Sequence, residues 1–236
     1  TAILVVLVTA GQQFKRSTQM AMLKDQLEAR VAEYDRWAIR RQYGADGPNM
    51  RRLWVLACMD ERLPVDEALG IRADSPVGGG DAHLFRNAGG IVTDDAIRSA
   101  MLTINFFGTK EIIILQHTGC GMLSANGNDL VAALKDKGID VDNAPIDPSL
   151  PEMSLQAGAF GKWIGMMDDV DETCIKCVDY LKNHPLIPND IVVSGWIWET
   201  EFRRLRAPTT DMDARARTQY SAASMGVQGS QPPRWG

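Results

Sequence analysis

The sequence predicts an α/β domain on a mostly parallel central β-sheet flanked by helices, with an amino-terminal helical arm. Three observations predict it. Short continuous apolar runs at Leu53–Cys58 (LWVLAC), Glu111–His117 (EIIILQH) and Ile191–Ile197 (IVVSGWI) have strand length and lack the alternation of a half-exposed strand, so both faces should be covered. Stretches with helical spacing separate these runs, and strand, helix, strand in alternation is the pattern of a parallel sheet. Finally, 236 residues at 45% hydrophobic and 23% charged suffice to bury a core, which excludes disorder and collagen-like repetition.

In chain order, Thr1–Ala10 (TAILVVLVTA) is apolar but about half the length of a membrane span, and no basic residue precedes it. It is either the remnant of a secretion signal's apolar core or an element that packs on a partner. From Gln12 to Gln42, apolar residues at Met20, Met22, Leu23, Leu27, Val31, Tyr34 and Trp37 keep near-helical spacing, the mark of an amphipathic arm. Gly44, Gly47 and Pro48 break it before the first apolar strand. Thr93 reads as a helix cap with Asp94 and Asp95 in the first turn, where carboxylates suit the positive end of the dipole, and Ala96, Ile97, Ala100, Met101 and Ile104 mark the buried stripe. Asn128–Lys137 and Asp171–Asn183 read as further helices, and Val141–Pro151 as a Pro- and Asp-rich loop. After Arg206 the chain turns polar and loses periodicity. The expected organisation is an amino-terminal segment and arm over 1–50, an α/β domain over 51–206 and a tail over 207–236, without internal repeats.

Lys and Arg total 25 against 30 Asp and Glu, a formal charge of −5, so no basic field exists to condense on nucleic acid. Small molecules or other protein chains are the expected partners. Four cysteines are too few for a disulfide scaffold in a chain of this length, which points to a metal or a reduced compartment: cytoplasmic, or periplasmic if Thr1–Ala10 is a signal remnant.

The chemistry lies where two buried strands run out. Ala57–Leu63 (ACMDERL) ends the first and Gln116–Met122 (QHTGCGM) ends the second. Side chains at the carboxyl ends of neighbouring strands converge on one crevice, which brings Cys58, His117 and Cys120 to a single spot. Two thiolates and an imidazole make a three-ligand zinc set of the catalytic kind. Because two thiolates cancel the formal charge of the ion, its water is acidified less than at an all-histidine site, and a helper is required. Asp60 and Arg62 supply it: a bidentate pairing with Arg62 holds the carboxylate off the metal and fixes its direction. The plain reading of each piece is a core thiol, a chance His-x-x-Cys and an ordinary ion pair; their joint placement argues for a shared site.

Cys58-Met59-Asp60-Glu61-Arg62, Arg86-Asn87-Ala88-Gly89-Gly90 and His117-Thr118-Gly119-Cys120-Gly121 resemble the β-class carbonic anhydrase family, and the likeness runs from about Arg52 to Arg206. The stretches RLWVLACMDER, DAHLFRNAGGIVTDDAIRSA, NFFGTKEIIILQHTGCGML and NHPLIP are most similar to its carbon disulfide- and carbonyl sulfide-cleaving branch. The resemblance implies one zinc per subunit on Cys58, His117 and Cys120, the dyad Asp60–Arg62 beside its water, and a homo-oligomer built from dimers with the amino-terminal helix embracing its neighbour. It implies hydrolysis of carbon disulfide and carbonyl sulfide to hydrogen sulfide and carbon dioxide, with carbon dioxide hydration as the alternative. The segment Ser75–Gly80 (SPVGGG) departs from the pattern as an inserted loop.

Both substrates are linear apolar triatomics with an electrophilic carbon, so selection must come from access, and a narrow apolar entrance would favour the larger, more lipophilic molecule. Phe106, Phe107, Leu84 and Phe85 are candidates for its lining, with core packing as the plainer role. Gly89 and Gly90 suggest a close backbone approach or positive φ beside the site, and Arg86 a partner carboxylate or a surface ion pair. Cys174-x-x-Cys177 offers redox or structural-metal chemistry, but its place within a helical stretch argues for two core thiols. His184 before Pro185 reads as a helix end and His83 as a hydrogen-bonded strand residue.

Overall fold

The structure, a computed structural model, describes residues 49–72, 80–124, 126–145 and 159–213. The chain divides into units 1–42 and 43–236, and every described residue belongs to the second. The apolar segment Thr1–Ala10, the arm, residues 75–79, most of the 141–151 loop and the chain beyond 213 lie outside the described residues.

Five strands form one sheet: β1 (Leu53–Cys58), β2 (Ala82–Asn87), β3 (Glu111–His117), β4 (Val192–Glu199) and β5 (Arg204–Arg206), in the order β2-β1-β3-β4-β5. The first four run parallel, and β5 returns antiparallel against β4. The three apolar runs are the three inner strands, as their covered faces require. All six residues of β1 are buried. Trp54 and Leu56 face a core shared with Ala96, Ala100, Cys174, Cys177, Val178 and Leu181, while Leu53, Val55 and Ala57 face a second core with Leu63, Leu115, Met167 and Trp198.

The helices are α1 (Val65–Leu69), α2 (Asp94–Phe107), α3 (Gly121–Ser124), α4 (Gly127–Asp136), α5 (Phe160–Ile164) and α6 (Val170–Lys182). Thr93 caps α2 by accepting from the Ala96 amide at 3.3 Å, with Asp94 and Asp95 in the first turn. Its buried residues are Ala96, Ala100 and Thr103, with Ile97 and Ile104 partly buried against the core. Thr103 escapes an apolar-stripe reading because its hydroxyl is satisfied inside, by His83 Nδ1 at 2.6 Å and Thr109 at 2.7 Å. Helix α6 approaches β4 at Gly195, where a Cβ would stand 2.6 Å from Cys174 Sγ.

Strand order creates the crevice. The chain leaves β1 toward β2 on one side and leaves β3 toward β4 on the other, so the connections part between β1 and β3. That is the switch point of an open parallel sheet, where side chains beyond the strand ends face a gap rather than a crossover. Cys58 closes β1 and His117 closes β3 at this point.

Candidate metal centre

Two glycine turns and two side-chain amides bring the cluster together. Gly89 and Gly90 take φ of +80° and +60°, and a Cβ on Gly90 would stand 2.7 Å from the Cys58 amide nitrogen. Both properties expected of this pair therefore hold. Asn87 clamps the turn from its side chain, donating to Ile91 O at 2.8 Å and accepting from Ile91 N at 3.0 Å. Buried Gln116 donates to Gly90 O at 3.1 Å, tying the turn to β3. Beyond β3, Gly119 at φ +63° turns the chain so that Cys120 points back toward β1.

Among the described residues, the ligand atoms of Cys58, His117 and Cys120 all lie within 4.8 Å of one another, and all three residues are buried. Their spacing fits zinc. Two thiolates about 2.3 Å from a tetrahedral zinc stand about 3.8 Å apart, and Cys58 Sγ lies 3.8 Å from Cys120 Sγ. His117 supports the same fit. Its Nδ1 meets the Thr118 carbonyl at 2.9 Å, an oxygen that only accepts, so the ring hydrogen sits on Nδ1 and Nε2 carries the lone pair. That Nε2 is buried without a hydrogen-bond partner, as a nitrogen directed at a metal would be. The thiols titrate as a pair: hydrogen bonding from Cys120 favours the first thiolate at Cys58, and the charge so formed, with burial, opposes loss of the second proton from Cys120. A bound cation removes that opposition.

Asp60 lies beside the cluster, its Oδ2 3.8 Å from His117 Nε2. Arg62 grips it from two nitrogens, Nε to Oδ1 at 2.9 Å and Nη2 to Oδ2 at 2.6 Å, and the Arg62 amide adds a bond to Oδ1 at 2.9 Å. The guanidinium holds the carboxyl down at about 2. Oδ1 thus has both lone pairs engaged, and Oδ2, the oxygen nearer His117, keeps one. Arg62 Nη2 also donates to Gly119 O at 2.9 Å, joining the two loops that carry the ligands.

One residue near the centre has another role than the sequence suggested. Within this chain Arg86 donates to the carbonyls of Cys58 at 2.9 Å, Asp60 at 2.7 Å and Leu63 at 3.2 Å, stapling the Asp60 loop, and among the described residues it forms no ion pair. The motif that begins at Arg86 marks the residue, but bonds to backbone carbonyls leave no signal in residue type.

The proposed entrance residues are corrected. Helix α2 runs back toward the amino edge of the sheet, so Phe106 and Phe107 at its end lie the length of β3, about 20 Å, from the ligand end, and they are exposed. Leu84 is also exposed, and Phe85 stacks at 5.9 Å on Trp54. The apolar wall near the centre is instead Ile91, Met122 and Met167, whose atoms lie within 3.4 Å of where a Gly89 Cβ would be. Ile91 and Met167 also line a cavity of about 390 Å³ with Met166, Cys177 and Tyr180.

Cys174 and Cys177 are both buried in α6 among core side chains. Burial pushes the Cys174 thiol up to about 12, which suits a core group and not a reactive one. His184 follows α6 and accepts from the Leu186 amide, a helix-end role as expected.

A carbonic anhydrase family model matches residues 53–199, the span from the start of β1 to the end of β4. The chain belongs to the β-carbonic anhydrase family. Within this family it is 70% identical over 216 residues to a carbon disulfide hydrolase of Acidithiobacillus thiooxidans, covering 92% of this chain and all of that protein. A second carbon disulfide hydrolase of the same organism is 64% identical over 186 residues, 79% of this chain and 90% of that protein. The solved apo form of carbon disulfide hydrolase in its selenomethionine form superposes with a TM-score of 0.66 at 39% identity, covering 90% of this chain and 100% of that one. The β-carbonic anhydrase fold is therefore shared with a solved relative.

Proposed function

We propose that this β-carbonic anhydrase family member is a zinc-dependent carbon disulfide hydrolase, cleaving carbon disulfide and then carbonyl sulfide. The observation that carries the reading is full-length 70% identity to a carbon disulfide hydrolase, with the fitting Cys58–His117–Cys120 geometry beside it. In the overall change, two C–S bonds break and two C–O bonds form: carbon disulfide and two waters become carbon dioxide and two molecules of hydrogen sulfide.

Cys58 Sγ, His117 Nε2 and Cys120 Sγ hold the ion, one per chain. Zinc in such a three-ligand setting supplies a Lewis acid and acidifies water to a useful nucleophile. Asp60 does the orienting. With its carboxyl held at about 2 it stays ionised, and it offers the free lone pair of Oδ2 as acceptor for the hydrogen of the attacking water. Arg62 keeps that oxygen aimed by its two-point grip and stops the carboxylate from swinging onto the cysteines' side. Ile91, Met122 and Met167 give the neighbourhood an apolar character that suits an uncharged triatomic and penalises a hydrated anion.

A reducing cytoplasm suits this centre, since oxidation of Cys58 and Cys120, 3.8 Å apart, would remove two ligands. Among the described residues no helix is long and apolar enough to cross a membrane. A dimer-built homo-oligomer belongs to the same reading, and Leu84 on edge strand β2 and Phe106 on α2 are separate exposed apolar positions that association would cover.

The test is a paired assay on one zinc-loaded preparation, sulfide release from carbon disulfide and carbonyl sulfide beside hydration of carbon dioxide. Release of two sulfides per carbon disulfide is expected. Rapid hydration without sulfide would make the protein a carbonic anhydrase in activity as well as in fold.

A further inference from the structure

The polar groups of Thr118, the residue after His117, are held by the carboxyl end of β4 and the turn that follows it. Its amide donates to Trp198 O at 3.0 Å. Its hydroxyl donates to Glu201 Oε2 at 2.6 Å and accepts from the Thr200 amide at 3.0 Å. Its carbonyl accepts from Thr200 Oγ1 at 3.2 Å as well as from His117 Nδ1 at 2.9 Å. The Thr118 hydroxyl hydrogen is committed to Glu201, and the one hydrogen of the Thr200 hydroxyl, 3.2 Å from both the carbonyl and the hydroxyl oxygen of Thr118, is shared between them.

We propose that Thr200 and Glu201, on the turn joining β4 to β5, are positioning residues for His117, fixing its tautomer and ring angle through the peptide and hydroxyl of Thr118. The inference rests on the reading of His117 as a metal ligand. An imidazole ligand needs its second nitrogen anchored on an acceptor, and the acceptor here is a single backbone oxygen that would swing if its peptide turned. The carboxylate of Glu201 makes the shortest bond in this set, a charge-assisted one, and so resists that rotation. Glu201 also lies near the Asp60 loop: its Oε1 and Arg62 Nη1 lie 3.7 and 3.8 Å from the point where a Gly119 side chain would begin. The turn thus borders both the imidazole anchor and the guanidinium that steers Asp60.

The chain has three histidines, so each imidazole can be followed by nitrogen NMR in the metal-free protein, while zinc affinity is measured by chelator competition. Thr118→Val and Glu201→Ala are compared with wild type and with the conservative Thr118→Ser. The expected result is zinc bound about 10- to 100-fold more weakly by the first two, with Thr118→Ser close to wild type. The double variant Thr118→Val/Glu201→Ala should lose no more than the worse single one, since the two act as one unit. In the metal-free proteins, His117 should hold its hydrogen on Nδ1 in wild type and exchange between tautomers in the variants. A merely structural role would lower melting temperature while leaving zinc affinity and the tautomer unchanged, and that result overturns the proposal. Additive losses in the double variant overturn it too. If wild type itself binds no zinc, the metal reading fails, and the tautomer measurement alone decides whether the turn positions His117.

Discussion

Asp60 shows how a single side chain is assigned its task by its neighbours. The Arg62 guanidinium lowers its carboxyl from the ordinary 3.8 to about 2, so the group is an acceptor and not a proton-removing base at any working pH. Because the folded value lies below the unfolded one, the pair stabilises the fold fully above about pH 4 and loses that contribution as pH falls through the folded value. Asp60→Asn should keep zinc, measured by elemental analysis, and lose turnover by about 10²- to 10⁴-fold; zinc-loaded Asp60→Asn with wild-type rates would remove Asp60 from the reaction. At this scale the clustering of Cys58, His117 and Cys120 and the Asp60–Arg62 pairing were legible because cysteine, histidine and paired charges are conspicuous where apolar strands end. Arg86 and Glu201 were not. They act through backbone carbonyls and one hydroxyl, across 28 and 83 residues of sequence respectively, and no residue type announces such a role.

The elements differ in how plainly the chain declares them. β1 and β3 are read from their apolar runs alone, whereas β2 (AHLFRN) lies at the sheet edge and alternates between covered and exposed residues. Strand β5, three residues of Arg-Leu-Arg, has no hydrophobic run at all. What holds it is charge. Arg206 bonds Asp171 of α6 at 2.5 and 2.9 Å and Glu199 of β4 at 3.0 Å, Arg204 pairs with Glu199 as well, and both carboxylates are buried. Removing Arg206 takes the guanidinium away from buried Asp171 and leaves buried Glu199 with Arg204 as its cation. Arg206→Met should therefore cost about 3–5 kcal/mol in urea unfolding, and a loss under about 1 kcal/mol would mean that solvent or other groups already satisfy them.

For the whole molecule, the parallel sheet and the convergence of its strand ends were legible, because three buried runs in βα alternation permit few topologies. The supposed apolar entrance was misplaced for a topological reason. A helix leading into a parallel strand returns to the opposite edge of the sheet, which carried Phe106 and Phe107 away from the site. The strand order put the site between β1 and β3, and family membership accounts for the same arrangement in relatives that cover nearly the whole chain. Zinc-edge X-ray absorption on the active protein tests the central claim most directly. It should find one zinc per chain with two sulfurs at about 2.3 Å and nitrogen or oxygen at about 2.0–2.1 Å; an active protein without zinc, or a zinc lacking two sulfur neighbours, would contradict it.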